Sequence, residues 1–281
     1  MAIATFWSNG REQTGKTLSI VAIATYMAIE NNMKILIIST NTDDRSLRNC
    51  YFDNQTGKRT TFGILGPRGG EVTMQSGMEG LVRIAKSNKV TTETVRNYTK
   101  AVFKDALEIL FSGDKSESPE DVSKYYPEII KAANEYYDMI FVDLDANIDQ
   151  TSQEEIMKIS NVVVANITQR LSSVNRFKAA KQKNEILASK KTLVLAGKYD
   201  NFSRYTIKNV ARYLGEKTVL AIPYNTLFYD SAEEAQVPDM FFNFAKNKNL
   251  DKEDSNYLFF KEVSRAAEVI QYRIQELQMR M

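Results

Sequence analysis

Consecutive apolar residues, rather than alternating ones, recur along the chain between segments of helical period. Ala2 to Trp7, Lys34 to Ile38, Asp138 to Asp143, Asn161 to Asn166, Lys191 to Ala196 and Thr218 to Ile222 each read as a strand covered on both faces. Asp105 to Phe111 (DALEILF) fits either a strand or the end of a helix. Helical periods fall between these runs, from about Gly15 to Ile29 and near 76–87, 119–136, 151–158, 173–187 and 203–214. That alternation predicts an α/β fold, a doubly wound and mainly parallel sheet flanked by helices, with ligand at the C-terminal strand ends. No repeat or linker interrupts it, so residues 1–281 read as one domain. Residues 51–73, rich in Gly, Thr and charge, predict a mobile loop near the ligand. Residues 112–121 (SGDKSESPED) predict a polar turn entering a helix with Pro119 at its first position.

The turn after the first strand reads Gly10-Arg11-Glu12-Gln13-Thr14-Gly15-Lys16-Thr17, a match to the phosphate-loop pattern G-x-x-x-x-G-K-[ST]. Gly10 and Gly15 allow a tight turn whose N–H groups converge on one polyphosphate. Lys16 carries a point charge to the outer phosphates, and the Thr17 hydroxyl is placed to ligate Mg²⁺. The helix that starts at the loop adds its positive N-terminal dipole, with Leu18 in its first turn. Strand, loop, helix and second strand together form a βαβ unit with the loop at the expected turn.

Composition narrows the chemistry. The chain has 281 residues, 43% of them hydrophobic, enough for a sizeable core. A formal charge of +2 gives no global argument for nucleic acid or membrane. Histidine is absent, which excludes Ser-His-Asp, Cys-His and imidazole-metal chemistry and leaves the single cysteine, Cys50, without an activating base. One cysteine also excludes an intramolecular disulfide and suits a reducing compartment. No run approaches the roughly eighteen apolar residues of a membrane span. No cleavable signal is evident, so the expected location is cytoplasmic.

With the loop and later segments in view, the chain resembles the MinD/ParA family of deviant-Walker P-loop ATPases. Tyr137 to Asp143 (YDMIFVD) looks like the family's second acidic strand, and Asn166 to Val174 (NITQRLSSV) like its serine-rich turn into a helix. Gly197-Lys198-Tyr199-Asp200 sits where these ATPases carry an Asn-Lys/Arg-Tyr-Asp segment. Ala221-Ile222-Pro223-Tyr224 followed by Ser231 to Ala235 resembles the last strand, adenine-side proline and small-residue helix. The resemblance implies ATP and Mg²⁺ as ligands, bound by residues 10–18 with Lys198 and Pro223 on the base side. Thr17 and Asp143 are the metal-side pair it implies. It also implies a nucleotide-sandwich homodimer and slow hydrolysis to ADP and phosphate, used to position DNA, division proteins, flagella or secretion and pilus machinery.

The departures bear on turnover. Arg11 stands where the family's signature lysine reaches across the dimer, keeping charge but changing shape. Glu12 and Gln13 replace the usual glycines, and Glu12, placing negative charge near phosphates, either pairs with Arg11 or points to solvent. The water-positioning Asp-x-Asp appears as Ser39 and Asn41, with Asp43 and Asp44 just beyond. Asn41 orients a water but cannot accept its proton, and Asp43 or Asp44 compensates only if the loop is shifted. The family glycine beyond Asp143 appears as Asn147, and Asp145 offers a further carboxylate for the metal or its waters. Gly197 falls where an asparagine often reads the adenine edge. The expectation is Mg-ATP binding with hydrolysis slow or lost. Such atypical loops also suggest the TadZ/CpaE-like branch that localises pilus or secretion machinery.

Residues 255–281 carry Phe259, Val263, Ala266, Ile270, Ile274, Leu277 and Met281 at helical spacing. Packing on the domain or against a protein partner is favoured over a membrane-surface role, because Glu262, Glu268 and Glu276 dilute the basic residues. The basic run Lys178 to Lys191 reads as a solvated face before a DNA contact, and membrane contact is at most peripheral. Phe241, Phe242 and Phe244 read as buried by default, with an exposed docking patch as the alternative. Three functions remain: a slow ATPase switch; a hydrolytically dead scaffold for a pilus, secretion or conjugation apparatus; and a DNA-partitioning ATPase.

Overall fold

A computed structural model describes residues 2–10, 12–41, 45–52, 77–87, 90–112, 122–246 and 253–279. Its strands are β1 (Ala2–Ser8), β2 (Ile35–Ser39), β3 (Lys100–Phe103), β4 (Leu107–Leu110), β5 (Met139–Asp143), β6 (Val162–Ile167), β7 (Thr192–Tyr199) and β8 (Val219–Pro223). They form one sheet in the order β3-β4-β2-β5-β1-β6-β7-β8. Every neighbouring pair is parallel except β3 with β4. β1 is therefore central, pairing Phe6 with Asp143 on one side and with Val164 on the other.

The helices are α1 (Lys16–Glu30), α2 (Arg45–Asn49), α3 (Gly77–Ala85), α4 (Thr92–Tyr98), α5 (Tyr126–Ala133) and α6 (Gln150–Ile159). After β6 come α7 (Leu171–Lys183), α8 (Glu185–Ala188), α9 (Ile207–Leu214), α10 (Thr226–Glu233), α11 (Val237–Lys246) and α12 (Ser255–Gln278). The continuous apolar strands are explained by cover on both faces. Ala4, Phe6, Ile37 and Phe141 point into a core with α1, α11 and α12, while Ile3, Leu36, Ile38 and Ile140 point into a second core with α3, α5 and α6. A third cluster packs Ala165, Val194 and Ala221 under α7 and α9.

Several boundaries move for local reasons. The ambiguous stretch 105–111 is a strand, β4, entered from the unforeseen β3 through Asp105 in the left-handed region at φ 59°. The helix expected over 173–187 breaks at Asn184, whose side chain accepts from the N–H groups of Ile186 and Leu187 and starts α8 afresh. The helix expected from 203 begins at Ile207, where the Thr206 hydroxyl caps it by accepting from Asn209 N–H. The stripe of α12 is spent on packing: Phe259, Val263, Ala266, Ile270 and Ile274 are buried in the core shared with α1 and β8. Phe241 is buried as expected, Phe244 is partly buried and stacks on Phe260 at 3.6 Å, and Phe242, 38% exposed, meets Phe103. The expected loop over 51–73 from residue 53 onward, the turn at 113–121 with Pro119, and Met281 lie outside the described residues.

Candidate functional site

The site is built where β1 leaves the centre of the sheet. Gly10 lies so close to β5's continuation that a Cβ there would sit 2.4 Å from Ala146 Cβ. Gly15 adopts φ 74°, ψ 23°, a left-handed conformation, and forms the N-cap of α1. No side chain caps this helix and its first turn holds no carboxylate, so its N–H groups and positive dipole end are directed at the loop. Ser19 faces the other way, returning both its N–H and its hydroxyl to the Gly15 carbonyl at 2.8 and 2.9 Å. Such a helix start is suited to an anion.

Three side chains meet at the end of β5. Lys16 Nζ lies 2.9 Å from Asp143 Oδ1 and also donates to the Leu144 carbonyl. Thr17 Oγ1 donates to Asp143 Oδ2 at 2.6 Å. Asp143 is 2% exposed, so its charge is held by these partners rather than by water. The sequence-derived metal pair is thus one hydrogen-bonded unit. Two protein oxygens are a suitable anchor for Mg²⁺, which retains several waters when bound beside phosphates. Among the described residues no cluster of three or more acidic, Cys or His side chains stands ready to hold a metal ion.

Asp145 is differently employed. Its Oδ1 accepts from Asn147 N and Nδ2 at 3.1 and 3.0 Å, closing the turn after β5, while its N–H donates to Thr40 Oγ1. At least that oxygen is occupied in shaping the turn rather than offered to a metal. Asn41 follows Ser39, the register partner of Asp143; its N–H donates to Ser39 Oγ and its carbonyl accepts from the Ser112 hydroxyl. Arg11 and Asp43 lie outside the described residues.

Glu12 does not point to solvent, and it has a partner not expected from sequence; Arg11, the expected partner, lies outside the described residues. Glu12 Oε1 accepts from Arg176 Nη1 on α7, an ion pair between residues 164 apart. Gln13 is exposed, and Thr14 is buried with its N–H bound to the Glu12 carbonyl and its Oγ1 without a hydrogen-bond partner among the described residues. Gly197 packs against the loop itself. A Cβ there would fall 2.2 Å from the Thr14 carbonyl oxygen, so β7 passes directly behind the loop. Lys198, at φ 52°, lays its stem across Gly15. Gly15, Leu18, Lys198 and Pro223 then line one recess with Tyr224 and Tyr229. The structure therefore joins the proposed base-side residues to the loop. Arg176 and Tyr229 have no motif that marks them in the sequence, and Tyr224 appears there only as the end of the segment around Pro223.

No protein-family model and no curated protein matches the chain. Solved structures match over nearly its full length. A ParA family ATPase from Chlorobium tepidum TLS aligns with TM-score 0.64 at 13% identity, covering 97% of this chain and 98% of the other. The Aquifex aeolicus MinC:MinD cell division complex gives 0.66 at 13%, covering 95% of each chain. The septum site-determining protein MinD from Pyrococcus horikoshii OT3, complexed with Mg-ADP, gives 0.64 at 14%, covering 97% and 98%. At such identities the likeness is one of fold, and the fold of this chain is that of the MinD/ParA P-loop ATPases.

Proposed function

We propose that this chain, working as one P-loop domain, binds Mg-ATP at residues 10–17 and acts as a slowly cycling, dimerising switch that localises a protein partner. The observation that carries this reading is the uncapped start of α1 at left-handed Gly15, with Lys16 and Thr17 both gathered on buried Asp143. In it the loop N–H groups and Lys16 hold the β- and γ-phosphates, Thr17 and Asp143 hold Mg²⁺ and its waters, and Pro223 and Lys198 flank the base. Thr17 and Asp143 would hold Mg²⁺, which when bound would supply positive charge against that developing on the phosphoryl group. Asn41 orients the attacking water without accepting its proton, which keeps turnover slow.

Pairing of two copies is supported by Tyr224 and Leu227, 54% and 45% exposed beside the base-side recess. Arg11, from each copy, serves the phosphates of the other. A MinD of similar fold is found with a protein partner, MinC, which favours a protein as cargo here. The fold's two flanking helical layers leave no helix among the described residues long and apolar enough to cross a membrane.

The test is ATP turnover with Mg²⁺ beside light scattering with and without ATP. Slow turnover with ATP-dependent dimers is expected; no turnover and a constant mass would leave an inactive scaffold. Lys16→Ala removes charge-assisted contacts of about 1.5–3 kcal/mol each, so ATP affinity should fall at least about tenfold to hundredfold. Unchanged affinity in that variant would end the phosphate-site reading.

A second reading has an observation of its own. Residues 170–217 carry twelve Lys or Arg against three Asp or Glu, whereas the whole chain is only +2. Lys178 lies over the Tyr213 ring at 4.6 Å on the surface where α7 meets α9, the pairing of charge and ring that nucleic-acid contact uses. A DNA-partitioning role is the alternative this favours.

A further inference from the structure

Glu12 is the chemical misfit of the loop. A carboxylate between β1 and the start of α1 stands where a polyphosphate would bring several negative charges, and like charges repel strongly where water is partly excluded. The side chain of Glu12 is only 15% exposed, so it is turned inward under Arg176 rather than out into solvent. Its backbone is fixed as well, because its carbonyl accepts from Thr14 N–H at 3.0 Å.

Arg176 is equally well placed. Its neighbour Phe177 is buried and meets Trp7 of β1 at 6.3 Å between ring centroids, and Ser173 and Val174 are buried on the same face of α7. The helix is thus pinned to the strand that feeds the loop, and the guanidinium is carried to a set distance from Glu12. We propose that Arg176 is a positioning residue of the nucleotide site: it draws Glu12 aside and cancels its charge, so that a nucleoside triphosphate can occupy the loop. This inference rests on the reading of residues 10–17 as a phosphate site.

A half-exposed ion pair adds little to global stability, so melting temperature does not reveal this role, whereas affinity for an anion does. The experiment is Mg-ATP titration of the full chain and of R176A, R176K, E12Q, E12Q/R176A and K16A, each with its melting temperature. R176A should bind about tenfold more weakly than the unaltered chain with an unchanged melting temperature. R176K, which keeps the charge without the planar fork, should fall between the two. The decisive variant is E12Q/R176A, which should recover to within about threefold of E12Q, because removing the carboxylate removes the need for the guanidinium. R176A binding as tightly as the unaltered chain while K16A loses affinity would overturn the inference and leave the phosphate site standing. Persistent weakness in E12Q/R176A would overturn it too, since Arg176 would then act by another route. Equal affinity of K16A and the unaltered chain would remove the phosphate site, and this inference with it.

Discussion

A single missing side chain sets the back wall of the site. Gly197 brings β7 within 2.2 Å of the Thr14 carbonyl, measured from where a Cβ would stand, with Ser19 Oγ and Asn166 Nδ2 at 3.3 and 3.4 Å. Gly197→Ala must push the loop forward or the strand back. We expect a stability loss of about 1–3 kcal/mol, the usual range for an overpacked interior. ATP affinity should also fall by about tenfold or more, since misplacement of the loop costs far more than the methyl group itself. Calorimetric melting and ATP titration of the variant check both, and unchanged values for both would mean the loop is not braced by this strand. Residues with local reasons for their identity were legible in the sequence: Gly10, Gly15, Lys16 and Thr17 stand in one loop pattern, whereas Asp143, 126 residues from Thr17, was read only through the resemblance of its strand. Gly197 read as a departure in base recognition because its reason is a contact from another strand. Arg176 was silent for the same cause, its partner being 164 residues away.

At the scale of elements, legibility followed burial. The strands at the centre of the sheet are buried on both faces and announce themselves as continuous apolar runs. β3 is four residues long with only Val102 buried, so it carries no comparable pattern, and its left-handed turn at Asp105 lacks the usual glycine. Helix α6 shows how a cap rather than periodicity sets a boundary. Asp149 accepts from Ser152 N–H at 2.8 Å, and the Ser123 hydroxyl donates to the same carboxylate. Bonds from Ser123 and then Ser152 hold its carboxyl below the usual carboxylate range. Asp149→Ala should cost about 1 kcal/mol, or about 2–4 °C in melting temperature. The sign of the pH effect follows from the lowered folded value: the contribution is present above the unfolded value near 3.9 and is lost as pH falls through the folded one. The gap between the two proteins should therefore be full at neutral pH and close in acid. A gap that widened on acidification would show that the cap acts as a neutral carboxyl.

For the whole molecule, net charge hides its distribution. The excess of basic residues between 170 and 217 leaves the remainder of the chain with a net negative charge. Lys208 and Arg212 are exposed on α9. If the basic face takes duplex DNA, retention should fall steeply between low and physiological salt, and K208E/R212E should weaken it by about tenfold or more without altering ATP affinity. Absence of retention at low salt would leave a protein as the partner. The sheet order has a consequence in time. Ile3 pairs with Ile140 and Ala4 with Val162, so the central strand precedes both of its neighbours by well over a hundred residues. At about 5–20 residues per second, a ribosome needs on the order of ten to thirty seconds to deliver those neighbours, and until then β1 is an unmatched apolar ribbon. The loop between β1 and α1 can consequently reach its final shape only after β5 and β6 have both been made.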